Sequence, residues 1–161
     1  MNGLLSYCAD LPTTTLDAGE VLIEQGRDAG ALYVLVEGAL VIERDGVPFA
    51  RIDTPGAVFG EMAAVLGQQA TATARVTETS TFRVADDPIA FLTERPGAAL
   101  EVLRLAATRL DALTRYLADV KRQYADLAGH LGMVDDVLNV LVHHQPRPAR
   151  PGSAREPDPD Y

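Results

Sequence analysis

The stretch ALVIERDGVPFARI, residues 39–52, decides the fold. Two runs rich in apolar and β-branched residues, Ala39 to Arg44 and Val47 to Ile52, flank the dipeptide Asp45-Gly46. Asp-Gly suits a two-residue turn in which both residues take positive φ, and the twist of such a turn matches that of antiparallel strands. The stretch is therefore read as a β-hairpin. Outward from it the same rhythm continues. Strands are expected at Leu16, Val21 to Glu24, Ala31 to Val36, Val58-Phe59, Thr71 to Thr77 and Thr81 to Val84. Gly19, Gly26, Gly30, Gly38, Pro55-Gly56 and Gly67 punctuate them. Many short strands at this spacing predict a mainly β fold with added α, an antiparallel jelly-roll barrel beginning near residue 16 after an N-terminal segment, 1–15. One short helix interrupts it, because Glu61 to Leu66 holds good helix formers directly after Gly60.

Beyond the barrel, 16–97, the period changes. Asp86-Asp87-Pro88 caps a short helix running to about Glu94, and Arg95-Pro96-Gly97 breaks it before a longer one starts. In the long helix, residues 98–144, apolar residues fall at Leu103, Ala106, Leu110, Leu113, Leu117, Val120, Tyr124, Leu127, Leu131, Val134, Leu138 and Leu141. Spacings of three and four alternate without a slip, which is a heptad seam. The seam predicts a coiled-coil homodimer with Leu103, Leu110, Leu113, Leu117, Val120, Tyr124 and Leu127 in its interface. Gly129 and Gly132 each cost about 1 kcal/mol relative to alanine in a helix, so a bend is expected at 129–132 and a shorter helix at 133–144. The remaining segment, 145–161, holds five prolines in 17 residues and is expected to be disordered.

Composition narrows the function. The 161 residues carry 14 basic and 23 acidic side chains, for a net charge of -9. Residues 1–97 hold 6 basic and 14 acidic groups, and 98–161 hold 8 and 9, so neither half is cationic. A protein gripping a duplex needs a cationic face, which argues against direct nucleic-acid binding. No apolar run approaches the roughly 18 residues of a membrane span, and MNGLLSYCADLPTTT has no secretory pattern, so a cytoplasmic location without membrane association is expected. Cys8 is the single cysteine and reads as a small buried residue. A metal site inside a barrel would need two or three histidines, yet residues 1–129 contain none. Ser6, Ser80 and Ser153 lack an acid-base partner pattern. The chain is expected to be no enzyme, with no metal and no cofactor.

Three glycine motifs in order carry a resemblance: Gly19-Glu20-Val21-Leu22-Ile23-Glu24-Gln25-Gly26, then Leu32-Tyr33-Val34-Leu35-Val36-Glu37-Gly38, then Gly56-Ala57-Val58-Phe59-Gly60-Glu61. With the short helix and the long heptad helix they resemble the cyclic nucleotide-binding domain family, the regulatory domain of catabolite activator-like proteins, over about Leu16 to Leu141. The resemblance implies a candidate pocket of Phe59, Gly60, Glu61, Met62, Ala70, Thr71, Ala72, Leu113 and Thr114, with a cyclic nucleotide as ligand. It implies that the amides of the short helix face the cyclic phosphate, that Glu61 accepts from the ribose 2′-hydroxyl, and that an arginine pairs with the phosphate. Here Ala70 stands where that arginine would be, while Thr71 retains a hydroxyl able to donate to a phosphate oxygen.

Losing a bidentate arginine from a partly buried anion site costs on the order of 3 kcal/mol, about a hundredfold in affinity. Arg75 is a poor substitute. Side-chain alternation along an extended 70–76 puts it on the face opposite Ala70, and it lies some five residues, roughly 16 Å, away. Catabolite activators also carry a helix-turn-helix, whereas this sequence passes from the helix at Met133 to Val142 into the proline-rich tail. The expectation is a stand-alone, dimeric, regulatory domain with weakened or absent cyclic nucleotide binding that acts through a protein partner. The alternative is a sensor of cyclic AMP or cyclic GMP that uses a different phosphate cation, such as Arg27.

Overall fold

The computed structural model describes residues 3–123 and the helical positions Val137, Leu138, Val140 and Leu141. Two compact units divide between Ala106 and Ala107. The first opens with a 3-10 turn, Leu4–Cys8, followed by eight strands: β1 Thr13–Leu16, β2 Val21–Ile23, β3 Leu32–Glu37, β4 Leu40–Arg44, β5 Val47–Ile52, β6 Val58–Phe59, β7 Thr73–Val76 and β8 Ser80–Ala85. Helix α1, Glu61–Leu66, lies between β6 and β7; α2, Pro88–Glu94, and α3, Pro96–Gln123, follow β8. The strands form two antiparallel four-stranded sheets in the orders β1-β8-β3-β6 and β2-β7-β4-β5.

The hairpin is built as its sequence predicts, with Asp45 at φ 52° and Gly46 at φ 77° between β4 and β5. Its register shifts where Ile42 pairs Ala50 and Glu43 pairs Pro48, leaving Phe49 as the extra residue of a bulge. Pro48 lies in β5, an edge strand and beside the bulge, the positions in a sheet that accommodate proline.

Two apolar clusters hold the first unit together. One unites Leu32 and Val34 of β3 with Leu4, Cys8, Phe91, Ala98 and Val102, so it joins a sheet to the 3-10 turn, α2 and the start of α3. The other lies between the sheets and contains Ile23, Leu35, Leu40, Phe59, Ala70, Ala74, Val76 and Phe82. Phe59 and Phe82 meet edge to face at 6.3 Å between centroids. β3 feeds both clusters because successive side chains point to opposite faces. Cys8 is fully buried and its Sγ donates to Leu4 O at 3.3 Å, in keeping with a small core residue.

Asp87 caps α2 by accepting from Ala90 N at 2.9 Å, and Pro88 occupies the first turn. At the α2–α3 joint, Nη1 and Nη2 of Arg95 each donate to the Asp10 carboxylate at 2.6 Å. A Cβ at Gly97 would come within 2.5 Å of the Tyr7 ring, so the 3-10 turn packs flush against this joint.

The barrel starts earlier than the sequence reading placed it. Thr13 to Leu16 pair with β8 from Arg83 to Ser80, so the threonines belong to a strand. β7 is shorter than Thr71 to Thr77, and Thr71 and Ala72 lie in a bend. The reason is a competing backbone tie: Gly26 N donates to Ala70 O and Ala70 N to Arg27 O, both at 2.8 Å, which holds the chain to the Gly26-Arg27 turn instead of the β4 ladder. On α3 the seam positions Leu103, Leu110 and Leu113 are exposed, while Leu117 and Val120 are half-buried. Tyr124, Leu127, the bend at 129–132 and the proline-rich tail lie outside the described residues, as does all of 133–144 except the four positions named.

Candidate functional site

The site grows from the end of β6. Gly60 has φ 86°, and a Cβ there would sit 2.5 Å from Ala31 O, so conformation and space both require glycine. This residue turns the chain into α1, which ends on Gly67 at φ 62°. Glu61, the first residue of α1, is 8% exposed; with Ser80 it is one of two buried polar side chains among the described residues. A carboxylate in that position is held off bulk water, whereas Met62 next to it is exposed.

Ala70 is 9% exposed and packs in the cluster between the sheets, together with Phe59. Thr71 is exposed and its carbonyl oxygen accepts from Arg44 Nε at 3.1 Å. Ala72 is half-buried. Leu113 and Thr114 belong to the second unit, where Thr114 Oγ1 donates to Leu110 O at 2.8 Å and Leu113 is exposed.

The cations near this segment differ in what they touch. Arg75 pairs with Glu43 at 3.4 Å and donates to Gly19 O at 3.1 Å, on the face opposite buried Ala74 and Val76. Arg27 is exposed and pairs with Glu24 at 2.7 Å. Arg44 was not singled out in the sequence, although its place in β4 two residues beyond Ile42 and four beyond Leu40 is a legible signal. Those two residues pack toward the inter-sheet cluster, and strand alternation puts Arg44 on their face. A separate cavity of about 260 Å³ opens between α1 and α2, lined by Asp28, Gly30, Gly60, Ala63, Pro88 and Ile89 among others. Of the expected pocket residues, it includes only Gly60.

A family model described as the cyclic nucleotide-binding domain matches residues 13–88. That segment belongs to the cyclic nucleotide-binding domain family. Solved structures agree at the level of fold. The catabolite activator protein of Thermus thermophilus is 25% identical with a TM-score of 0.58, over 76% of this chain and 57% of that one. The N-terminal domain of a transcriptional regulator from Streptomyces coelicolor A3(2) is 26% identical with a TM-score of 0.52, over 70% of this chain and 82% of its own. The regulatory domain of Toxoplasma gondii PKA, crystallised with cAMP, is 18% identical with a TM-score of 0.54, over 66% of this chain and 42% of that one. The chain thus spans only about half the length of the activator and of the kinase regulatory domain. No curated protein matches it significantly in sequence. Within the cyclic nucleotide-binding domain, Phe59 to Thr71 occupy the segment that the sequence reading assigned to phosphate and ribose recognition. Among the described residues, no group of three or more His, Cys, Asp or Glu is placed to hold a metal, and no helix is long and apolar enough to cross a membrane.

Proposed function

We propose that this chain is a non-catalytic regulatory module whose cyclic nucleotide site is weakened, and that it works as a dimer acting on a protein partner. The observation that carries the reading is Ala70. The resemblance assigns it the position of the phosphate-binding arginine; in the fold it is buried in an apolar cluster, and its backbone is tied on both sides to the Gly26-Arg27 turn. A methyl group there contributes no charge to an incoming phosphate, and the buried carboxylate of Glu61 adds repulsion unless a ribose hydroxyl engages it. Arg75 and Arg27 are engaged with Glu43 and Glu24, which disfavours both as replacements. Exposure of Leu103, Leu110 and Leu113, at 62, 44 and 47%, supports a second helix as the cover of the seam. The reading includes a cytoplasmic setting, where a lone thiol such as Cys8 stays reduced.

Calorimetric titration of the protein with cyclic AMP and with cyclic GMP tests the site. Dissociation constants near or above about 1 mM are expected, since the lost arginine removes about a hundredfold from a micromolar site. Micromolar binding of either nucleotide refutes the weakened-site reading in favour of a working sensor.

A further inference from the structure

Of the six arginines in residues 3–97, Arg27, Arg51, Arg75 and Arg95 each pair with a carboxylate. Arg83 is half-buried and donates to Leu11 O at 2.8 Å, in the other sheet. That leaves Arg44. Its Nε donates to Thr71 O, and neither Nη1 nor Nη2 has a partner among the described residues.

The backbone explains its reach. β4 and β7 pair Ile42 with Ala74 and Glu43 with Thr73, so Arg44, the next residue of β4, stands where the partner chain leaves the ladder at Ala72 and Thr71. The bulge of this hairpin falls on β5, so alternation along β4 is unbroken, and Leu40, Ile42 and Arg44 share the face of Ala74 and Val76. Arg75, by contrast, shares its face with Glu43.

We propose that Arg44 supplies, from β4, the phosphate cation that position 70 lacks. The Nε bond to Thr71 O fixes the plane of the fork, and Nη1 and Nη2 remain as paired donors for two oxygens of a phosphodiester monoanion. The Thr71 hydroxyl, which has no bond to any described residue, adds a third donor. Both acids adjacent in sequence are engaged elsewhere: Glu43 pairs with Arg75 at 3.4 Å, and Asp45 is held by Gln25, whose Nε2 donates to Asp45 Oδ1 at 2.8 Å and whose Oε1 accepts from Asp45 N at 2.8 Å. Gln25 N in turn donates to Thr73 Oγ1 at 3.0 Å, so the hairpin tip and the end of the cassette form one bonded framework. The ligand class is a cyclic nucleotide, and the inference rests on the reading of residues 59–71 as its cassette. Because Arg44 is exposed, water screens its charge, and its contribution is about five- to tenfold rather than the hundredfold of a buried arginine.

Chemical-shift titration with cyclic AMP, and with adenosine as an uncharged probe, tests this on the whole chain. Arg44→Gln is expected to weaken cyclic AMP about five- to tenfold and to leave adenosine unchanged, with Arg44→Lys in between. Raising salt from about 50 to about 300 mM weakens cyclic AMP but not adenosine in the unaltered protein, an arm that needs no variant. Equal cyclic AMP affinity in the unaltered protein and Arg44→Gln overturns the proposal. So does an unaltered protein that fails to bind cyclic AMP while Ala70→Arg binds it, which leaves the cassette reading intact. If neither binds, the cassette reading fails and the proposal falls with it.

Discussion

Ala70→Arg puts a charge into the proposed nucleotide site, and the structure sets both the gain and the cost. The new side chain starts from a backbone pinned by two 2.8 Å bonds to the Gly26-Arg27 turn, beside Phe59 and Ile23. A charge-assisted fork to phosphate is worth about 1.5 to 3 kcal/mol, and like-charge Arg44, bonded to the adjacent Thr71 O, offsets part of it. A net gain of about 2 kcal/mol, some thirtyfold in cyclic nucleotide affinity, is the expected result. Without ligand the sign reverses. The guanidinium replaces a 9% exposed methyl, its stem must cross apolar surface to reach water, and a loss of about 1 to 2 kcal/mol of stability follows. For a domain of about 100 residues this lowers Tm by several degrees. Calorimetry with cyclic AMP and thermal melts with and without the nucleotide measure both quantities. The reasoning is refuted if the variant binds no tighter than the parent, or if its melting temperature is unchanged in the absence of ligand.

Gly38→Ala tests the barrel itself: Gly38 has φ 105°, and a Cβ would lie 2.1 Å from Ser80 Oγ and 2.6 Å from Ser80 Cα, so a loss of about 3 kcal/mol or more is expected in urea unfolding. Ser80 cannot turn away cheaply, because its buried hydroxyl accepts from Ala39 N at 3.0 Å and donates to Glu78 O at 2.7 Å. The Arg95 fork holds the Asp10 carboxyl down to about 2. A depressed carboxyl stabilises the fold fully above its ordinary pKa near 3.9, and that contribution disappears as pH falls through about 2. Amide protection factors in the Leu4–Cys8 turn, which remove the pH dependence of intrinsic exchange, should therefore fall between about pH 4 and pH 2 in the native protein, and Asp10→Asn should flatten the difference; identical profiles would dismiss the clasp. Replacing Leu110 and Leu117 with glutamate should convert a dimer to a monomer in sedimentation, and an unchanged mass would assign the seam another role.

Local chemistry made much of this protein legible from its residues. Asp45-Gly46 specifies a hairpin because positive φ at two successive positions is a property of those residues alone, and the break at Arg95-Pro96 follows from proline's missing N–H and fixed φ. The α1 segment with its bounding glycines is readable for the same reason, whereas an expected charge at position 70 comes only from the resemblance to the cyclic nucleotide-binding domain family. Tertiary pairing decided the rest. Thr13 to Leu16 form a strand only because Arg83 to Ser80 come beside them, more than sixty residues later in the chain. Thr71 and Ala72 leave the β ladder because the Gly26 turn captures the backbone at Ala70. Glu61 is buried, Arg95 clasps Asp10, and Arg44 reaches Thr71 only in the folded chain. Turn preference and periodicity act within a few residues, whereas burial and hydrogen-bond partners depend on which distant segments the two sheets bring together.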